Sequence, residues 1–509
     1  MTTLLTDRLA SREHKLDASY GLICRGVILL AFIRWILPLW SPLWLDETAS
    51  WFRVRTGLMS ILHRPDVFLM STVYAAMLWA FQAVLGRSEW VLRLPSLLAM
   101  CAATYLLYRL SRRLVDREFA LSAAAVYMLL HSVAFAACDA RPYAFTMLAV
   151  IASTLLLVRW TGAGRIVDAI GYGLTAGLVV ELHILFFVTL IAQAAYFAIR
   201  VKAGFRPGIA QVIAVCVCFG TVAALAIRDV MVLIRPGVPH SFTAAPNIKD
   251  LLAVVLPYDL LLAVIVAVLV FGTRPISFRL ANMDSSSLFL IAAMALFPAI
   301  LLYAASTRTA YSVFVPRYLL SASPGLALAF AVVLKSLDPP AVRAGIVAMA
   351  ALVVLPNAML SSTARIHEPY GAGDWKHALR YVEEAAKKDA APVFIRSQYV
   401  ESDAMDWRKQ PLDENPLFPQ LSYYRVHGVT LEPLPLTLSD AVVPDLNRYT
   451  ASLVTSRGRF LLISAEGPKD LAPYLAWFGR LSCGGISRRK IAEFNGVVIY
   501  EFQWDAVKK

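Results

Sequence analysis

The chain has 509 residues, of which 59% are hydrophobic and only 16% are charged. A water-soluble protein of this length does not need so much apolar surface, so the composition excludes a soluble globular protein and predicts a polytopic membrane protein. The apolar segments are long and continuous, which favours helices over a membrane β-barrel. Cytoplasmic loops and contacts with anionic membrane lipids account for the formal net charge of +13, so no nucleic-acid partner is expected.

The first apolar run, residues 20–40, is about long enough for a helix to cross a bilayer. Lysine and arginine residues precede it, so the positive-inside rule predicts a cytoplasmic N-terminus. Two adjacent acids, Asp46 and Glu47, follow the run within the string SPLWLDETASW. We therefore expect them at the outer water–lipid boundary, where a carboxylate can stay charged and still meet the head group of a lipid. That placement indicates chemistry on a lipid-borne substrate.

Three basic loops set the predicted topology. They cover residues 109–117, 200–208 and 271–280, and the positive-inside rule places all of them in the cytoplasm. They reach that side together only if the apolar stretch 67–85 does not cross the bilayer. We interpret this stretch as an interfacial helix within one long external loop, 41–88. The result is a mostly α, polytopic bundle of about eleven transmembrane helices with its C-terminus outside.

The tail of the chain, residues 361–509, is charged and aromatic and has no membrane-length apolar run. Its string DWKHALRYVEEAAKK has helical periodicity, whereas APVFIRSQY, GRFLLIS and GVVIYEF are typical of short strands. The sequence therefore predicts two domains, a transmembrane domain over 1–360 and a periplasmic α/β domain over 361–509.

Further polar residues fall on the outer side of this topology. They are Asp139, Arg141, Tyr143, His183, Arg308, Arg317 and Tyr318. A compact helix bundle with short loops would bring such residues together at one face, so their convergence near the acid pair is a prediction of the topology.

Four strings resemble a known family in their order and spacing. They are LWLDETASW (43–51), GRSEWVLRLPSLLAM (86–100), CDARPYAF (138–145) and VPRYLLSASPGLAL (315–328). Together they resemble the GT-C glycosyltransferases of the protein mannosyltransferase, aminoarabinose transferase and rhizobial galacturonosyltransferase group. The string HRPDVF (63–68) departs from the pattern, because relatives often have His-Pro-Pro and an aromatic residue there.

The resemblance implies a GT-C bundle that transfers a hexose or pentose from a polyprenyl-phosphate donor with inversion. It assigns the general base to the first acid of the pair, Asp46. Arg308 and Arg317 suit the departing phosphate, because a guanidinium group can bind phosphate oxygens bidentately. The remaining expected roles are catalytic support by Glu47 and Asp139, donor-phosphate binding by Tyr318, and substrate binding by Arg141, Tyr143 and His183.

Each of these residues also has a purely structural interpretation. The acid pair could cap an interfacial helix with Asp46 at the N-cap, and the arginines could anchor lipid head groups. His183 is more often a packed histidine than a ligand. No cofactor is expected, although a divalent cation at Glu47, Asp139 or His183 stays open as an alternative.

We therefore predict a multi-pass glycosyltransferase of a bacterial inner membrane that acts on the periplasmic side. The expected partners are a polyprenyl-phosphate-linked sugar, membrane lipids, and an acceptor such as lipid A, lipopolysaccharide core or another envelope glycolipid, with protein as a further acceptor class. Two alternative functions use the same bundle: a lipid flippase or transporter, and a non-catalytic protein that binds an envelope partner.

Overall fold

The computed structural model describes most of the chain. The described residues are 2–63, 71–227, 231, 245–271, 277–278, 283–309, 312–360, 373–399, 402, 411–439, 442–444, 446–448, 450, 458–465, 468–481 and 486–504.

The described part of the chain is mainly helical, with one larger sheet near its C-terminus. The helices are α1 (Thr2–Ile36), α2 (Leu45–Val54), α3 (Leu58–His63), α4 (Thr72–Leu85), α5 (Glu89–Leu114), α6 (Arg117–Leu129), α7 (His131–Ala137), α8 (Tyr143–Ala163), α9 (Ile166–Leu182), α10 (Val188–Lys202), α11 (Ile209–Ala223), α12 (Ile248–Val255), α13 (Tyr258–Phe271), α14 (Ser285–Arg308), α15 (Pro316–Leu319), α16 (Ser323–Lys335), α17 (Pro340–Leu360), α18 (Trp375–Lys387), α19 (Pro419–Tyr423) and α20 (Pro468–Leu481). The strands are β1 (Ser277–Phe278), β2 (Leu337–Asp338), β3 (Val393–Arg396), β4 (Leu431–Leu434), β5 (Arg459–Ser464), β6 (Ile486–Phe494) and β7 (Val497–Trp504).

The chain forms two compact units. The first consists of Met1–Leu39, Leu69–Ile234 and His240–Ile366, and the second consists of Trp40–Phe68, Arg235–Pro239 and His367–Lys509. The first unit holds the long apolar helices, and the second holds the five-stranded sheet. The mostly α, polytopic fold class with a strand-containing C-terminal domain is thereby confirmed.

Seven described helical segments are long and apolar enough to span a membrane. They are Ser19–Trp40, Glu89–Leu114, Tyr143–Ala163, Ile184–Lys202, Ile209–Ala226, Ser285–Arg308 and Pro316–Lys335. An eighth span results if α6 and α7, which bend by 74° at Leu130, count as one. The total of about eleven spans stays a prediction.

The helices of the first unit approach one another closely where glycines replace larger side chains. On α9, a Cβ atom added at Gly173 would lie 2.8 Å from the carbonyl oxygen of Val215, and one added at Gly177 would lie 2.8 Å from Val222 Cβ. Such small residues let membrane helices pack backbone to backbone. They explain how α9 is held against α11.

The second unit contains a five-stranded sheet with the order β4-β3-β5-β7-β6. Strands β4, β3 and β5 are parallel, whereas β7 is antiparallel to both β5 and β6. Successive side chains of a strand point to opposite faces, so Val393 and Ile395 pack with α18 while Phe394 packs with α20. The sheet is therefore covered by a helix on each face, as an α/β domain requires.

The predicted helix and the three predicted strands of this unit match α18, β3, β5 and β7. The sequence analysis missed β4 and β6, which are the two edge strands. β4 contains Pro433, a residue that edge strands tolerate and central strands do not. β6 reads ISRRKIAEF, and its charged residues hide the strand pattern because an edge strand needs little apolar surface.

Gly325 provides a test of the close packing in the first unit. A Cβ atom at this position on α16 would lie 2.1 Å from the backbone nitrogen of Ala295 on α14, so the two helices would have to separate. We expect Gly325→Ala to destabilise the protein by about 1–3 kcal/mol or more, seen as a lower Tm in detergent.

The matched control is Gly220→Ala on α11. An added Cβ at Gly220 meets no atom within 4 Å, so alanine should leave the Tm unchanged or raise it slightly through its better helix propensity. Equal Tm values for the two variants would contradict the packing described for α14 and α16.

Candidate active site

The acid pair lies in the first turn of α2, in the second unit. This helix begins at Leu45, and the Glu47 carboxylate oxygen Oε2 accepts a hydrogen bond of 3.1 Å from the backbone N–H of Trp44. Glu47 is completely buried. Its side chain therefore caps the helix N-terminus, which satisfies a backbone donor that would otherwise be unpaired.

Asp46 differs from Glu47 in both exposure and position. It is half-buried and is the second residue of the helix, so the structural alternative that placed Asp46 at the N-cap is wrong. The helix macrodipole favours negative charge in this first turn. Of the two acids, only Asp46 has part of its surface exposed.

The acid helix α2 is anchored on the C-terminal part of its own unit. Trp51 packs edge-on against Tyr423 of α19, with ring centroids 5.2 Å apart. The backbone N–H of Leu43 donates to the Tyr424 hydroxyl at 2.7 Å, and Arg55 donates to the Asp413 carbonyl oxygen at 2.9 Å. These contacts fix both ends of α2, so its first turn has one defined position on this unit.

A second group of predicted residues meets in the first unit, around His183. The His183 ring lies in the turn between α9 and the following short helical turn, with its centroid 5.4 Å from that of Tyr143 and 5.0 Å from that of Tyr318. Phe186 completes the group at 5.1 Å from His183. We call these four rings the aromatic cluster. Three distant parts of the chain converge here.

Two arginines approach the same cluster. The Arg317 guanidinium lies 5.4 Å from the centre of the Tyr318 ring. Burial, together with the positive charges of Arg141 and Arg317, lowers the pKa of His183 to about 3. His183 is therefore a neutral ring at physiological pH, and the positive charge at this position belongs to the arginines.

The Nδ1 atom of His183 is buried and has no hydrogen-bond partner among the described residues. A buried ring nitrogen without a partner is costly, which makes this atom a candidate contact for a ligand or an ordered water. Next to two guanidinium groups, a bound anion or sugar hydroxyl would supply that partner.

The structure places the other predicted residues as follows. Asp139 is completely buried in the turn that links α7 to α8, two residues before Arg141. Arg308 is the exposed last residue of α14, and no contact between it and the aromatic cluster occurs within the described ranges. The structure therefore groups Arg141 with Arg317 around His183 and leaves Arg308 apart.

The sequence analysis missed one buried acid near the cluster. Glu181 accepts hydrogen bonds from the Ser71 hydroxyl at 2.7 Å and from the Val73 N–H at 3.1 Å, which fixes the start of α4. The signal was present, because Glu181 precedes His183 by only two residues in the turn ELH.

Arg93 is a further buried charged residue, on α5. Its guanidinium is completely buried and donates to the carbonyl oxygens of Pro38 at 2.8 Å and Leu39 at 3.2 Å. It therefore fixes the chain where the first span ends, seven residues before Asp46. Its position within GRSEWVLRLPSLLAM, one of the four strings that carry the family resemblance, could have pointed to this role.

In the part of the chain that the structure describes, no group of three or more His, Cys, Asp or Glu side chains is arranged to hold a metal ion. Glu47, one of the three predicted alternative ligands, is already engaged in capping α2.

The pKa of His183 predicts how stability responds to acid. An unfolded histidine takes up a proton near pH 6.5, whereas the folded state resists protonation down to about pH 3. Native stability is therefore complete above pH 6.5 and falls as the pH is lowered towards 3. We expect His183→Gln to reduce the drop in Tm between pH 7.5 and pH 4.5. An unchanged drop would contradict a neutral, buried His183.

Two kinds of comparison show which known proteins this chain is similar to. The family model for dolichyl-phosphate-mannose-protein mannosyltransferase matches residues 70–227, which include Asp139, Arg141, Tyr143 and His183. A search of curated protein sequences gave no match.

Solved structures share the fold. The chain is similar to ArnT from Cupriavidus metallidurans in the apo state, with a TM-score of 0.54, 11% sequence identity, and coverage of 95% of this chain and 98% of that one. It is also similar to the same protein bound to undecaprenyl phosphate, with a TM-score of 0.52, 12% identity, and coverage of 94% and 97%. Over residues 70–227 the chain is thus similar to the mannosyltransferase family, and over nearly its whole length it has the fold of ArnT.

Proposed function

We propose that this protein is a glycosyltransferase that moves a sugar from a polyprenyl-phosphate donor to an envelope glycolipid such as lipid A or lipopolysaccharide core. The reaction takes place on the periplasmic side of a bacterial inner membrane and inverts the anomeric carbon. The observation that supports this most directly is the approach of Arg141 and Arg317 to a neutral His183 within the aromatic cluster.

The two guanidinium groups suit the donor phosphate. In the reaction the bond between the anomeric carbon and the phosphate oxygen breaks, and the phosphate leaves with the electron pair. Arginine stabilises the developing negative charge through short, charge-assisted hydrogen bonds. Because His183 is neutral, its unpartnered Nδ1 either accepts from a sugar hydroxyl or donates to a phosphate oxygen, depending on the tautomer.

Asp46 is the proposed general base. The acceptor hydroxyl attacks the anomeric carbon from the face opposite the phosphate and transfers its proton to the Asp46 carboxylate, so no covalent enzyme intermediate forms. The partial exposure of Asp46 supports this role. Glu47 instead holds the first turn of α2 in place, because its carboxylate is committed to the Trp44 N–H.

The remaining residues have supporting roles in the proposal. Tyr143 and Tyr318 flank His183 and present ring faces and hydroxyls to the sugar. Asp139 orients the sugar hydroxyls, and Arg308 contacts the outer part of the donor phosphate. The reaction as written needs no cofactor, because proton transfer and charge stabilisation come from side chains.

The solved relative supports the donor class. ArnT from Cupriavidus metallidurans has been crystallised with undecaprenyl phosphate, and this chain shares its fold over nearly the full length of both proteins. The corresponding donor here is a hexose or pentose on a polyprenyl monophosphate.

The test is a transfer assay with purified protein in nanodiscs. A panel of labelled polyprenyl-phosphate hexoses and pentoses is offered together with lipid A, with lipopolysaccharide core and with an envelope protein extract. Mass spectrometry then identifies any glycosylated acceptor. Transfer to a glycolipid supports the proposal, and transfer only to protein would overturn the acceptor class. Binding without turnover, or movement of unreacted donor across vesicles, would contradict the proposed reaction.

Substitution of the two acids should affect different properties: the transfer rate for Asp46 and the thermal stability for Glu47. We expect Asp46→Asn to lower the transfer rate about 100- to 10,000-fold with little change in Tm, because it removes the base and leaves the helix cap intact. Glu47→Ala should lower the Tm, through the loss of about 1 kcal/mol of capping, by more than Asp46→Asn does.

Glu47→Gln is the matched control for this pair of variants. An amide oxygen still accepts from the Trp44 N–H, so the Tm should stay close to that of the wild type. If Asp46→Asn retained full activity, the assignment of Asp46 as base would fail.

Arg317 and Arg308 are expected to differ in their effect on donor binding. Arg317→Gln removes a guanidinium at the aromatic cluster and should raise the KM for the donor about tenfold or more. Arg308→Gln should raise it less, because its exposed charge is screened by solvent and salt. Both variants are assayed at 50 and 300 mM salt. A larger effect at Arg308 than at Arg317 would reverse the proposed order.

A further inference from the structure

A second positively charged cavity lies in the first unit, between α5, α8 and α9. Its volume is about 630 Å³, and five arginines line it together with Tyr105 and Tyr108. The arginines are Arg109, Arg112, Arg113, Arg159 and Arg165. We call this the arginine cavity. The proposed glycosyl transfer does not use it.

The arginine cavity is separated from the aromatic cluster by the full length of α8. That helix begins at Tyr143, a member of the cluster, and ends at Ala163, between two arginines of the cavity. Its 21 residues span about 30 Å, the thickness of the hydrocarbon core of a bilayer. The cavity therefore lies at the opposite membrane surface, which the positive-inside rule identifies as cytoplasmic.

The positive charge of the cavity is largely uncompensated. The buried carboxylate of Asp168 pairs with Arg159 at 2.9 Å and with Arg165 at 2.8 Å. In the described parts of the chain, no acidic side chain lies within ion-pair distance of Arg109, Arg112 or Arg113. Three guanidinium groups at one concave surface repel each other, and an anion with several oxygens would relieve that repulsion.

Local contacts hold these groups at the cavity. Arg109 donates to the Tyr105 hydroxyl at 2.9 Å, which keeps its guanidinium beside the cavity wall. The Nη2 atom of Arg113 lies 3.2 Å from where a Cβ atom of Gly162 would be, so the absence of a side chain at Gly162 makes room for it. The guanidinium positions therefore follow from the packing of α5 against α8.

An apolar surface continues from the cavity along the outside of the bundle. On α5, Leu98 and Tyr105 are 51% and 56% exposed and precede Arg112 at intervals of seven residues, which places the three on one helix face. On α9, Val167, Ile170 and Leu174 follow Arg165 and are also exposed, at helical spacing. A lipid would match both features, because its phosphate would lie in the arginine cavity and its acyl chains would lie along these apolar residues.

We propose that the arginine cavity binds the phosphate head group of an anionic phospholipid from the cytoplasmic leaflet, with the acyl chains against the exposed faces of α5 and α9. Such a lipid binds the folded protein only and so stabilises it. The proposal does not depend on the proposed function, because the cavity and the aromatic cluster lie at opposite ends of α8.

The test compares two charge-matched double variants of the full-length protein in a neutral detergent. Arg112→Gln with Arg113→Gln removes two charges from the cavity. Lys202→Gln with Arg206→Gln removes two exposed charges from another basic loop, outside the cavity. Phosphatidylglycerol is titrated into each protein while Tm and the number of lipids retained in native mass spectrometry are recorded.

We expect phosphatidylglycerol to raise the Tm of the wild type and of the loop variant equally. The cavity variant should bind phosphatidylglycerol about 30-fold more weakly. Each basic residue near a membrane surface contributes about 1 kcal/mol to lipid binding, or roughly fivefold in affinity, and the variant lacks two. Gly162→Ala, which displaces Arg113 without removing charge, should also weaken binding.

Three results would overturn the proposal. An equal loss of phosphatidylglycerol affinity in both double variants would mean that binding depends only on the net charge of the protein. An equal Tm rise with phosphatidylcholine would mean that the anionic head group is not recognised. An equal rise with inorganic phosphate at the same concentration would identify a site for a soluble phosphate. If the cavity variant does not fold, the single variants Arg112→Gln and Arg113→Gln are titrated in its place, and the same three results would overturn the proposal.

Discussion

Burial of polar groups in an apolar bundle is the constraint on which the rest of this structure depends. Within a membrane, each backbone donor or acceptor at a helix end must find a partner, since water is absent there. Buried charged side chains supply those partners here. Arg93 donates to two carbonyl oxygens at the end of the first span, Arg34 donates to the Leu129 carbonyl at the bend between α6 and α7, and Glu181 caps the start of α4.

The same constraint explains the chemistry of the aromatic cluster. A histidine beside two guanidinium groups cannot accept a proton at ordinary cost, so His183 stays neutral and acts through hydrogen bonding. The arginines then provide the charge, and they provide it permanently, since arginine does not lose its proton in proteins. The aromatic cluster is therefore a site of fixed positive charge that also contains a neutral histidine.

The two acids of one short helix differ in their surroundings. Glu47 is buried and caps α2, whereas Asp46 in the same turn is half-buried. The helix in turn depends on the second unit, through Trp51 against Tyr423 and Leu43 against Tyr424. The C-terminal part of the second unit therefore fixes the position of the helix that carries both acids.

The sequence by itself determined the features that depend on local pattern. Apolar length predicted the spanning helices, period-2 and helical patterns predicted β3, β5, β7 and α18, and the family-like strings predicted the enzyme class. Only the tertiary structure decided which arginine meets His183 and which acid caps α2, because Arg141, His183 and Arg317 are far apart in the chain and meet only through helix packing. The bend at Leu130 was likewise hidden, since an apolar string reads the same whether its helix is straight or broken.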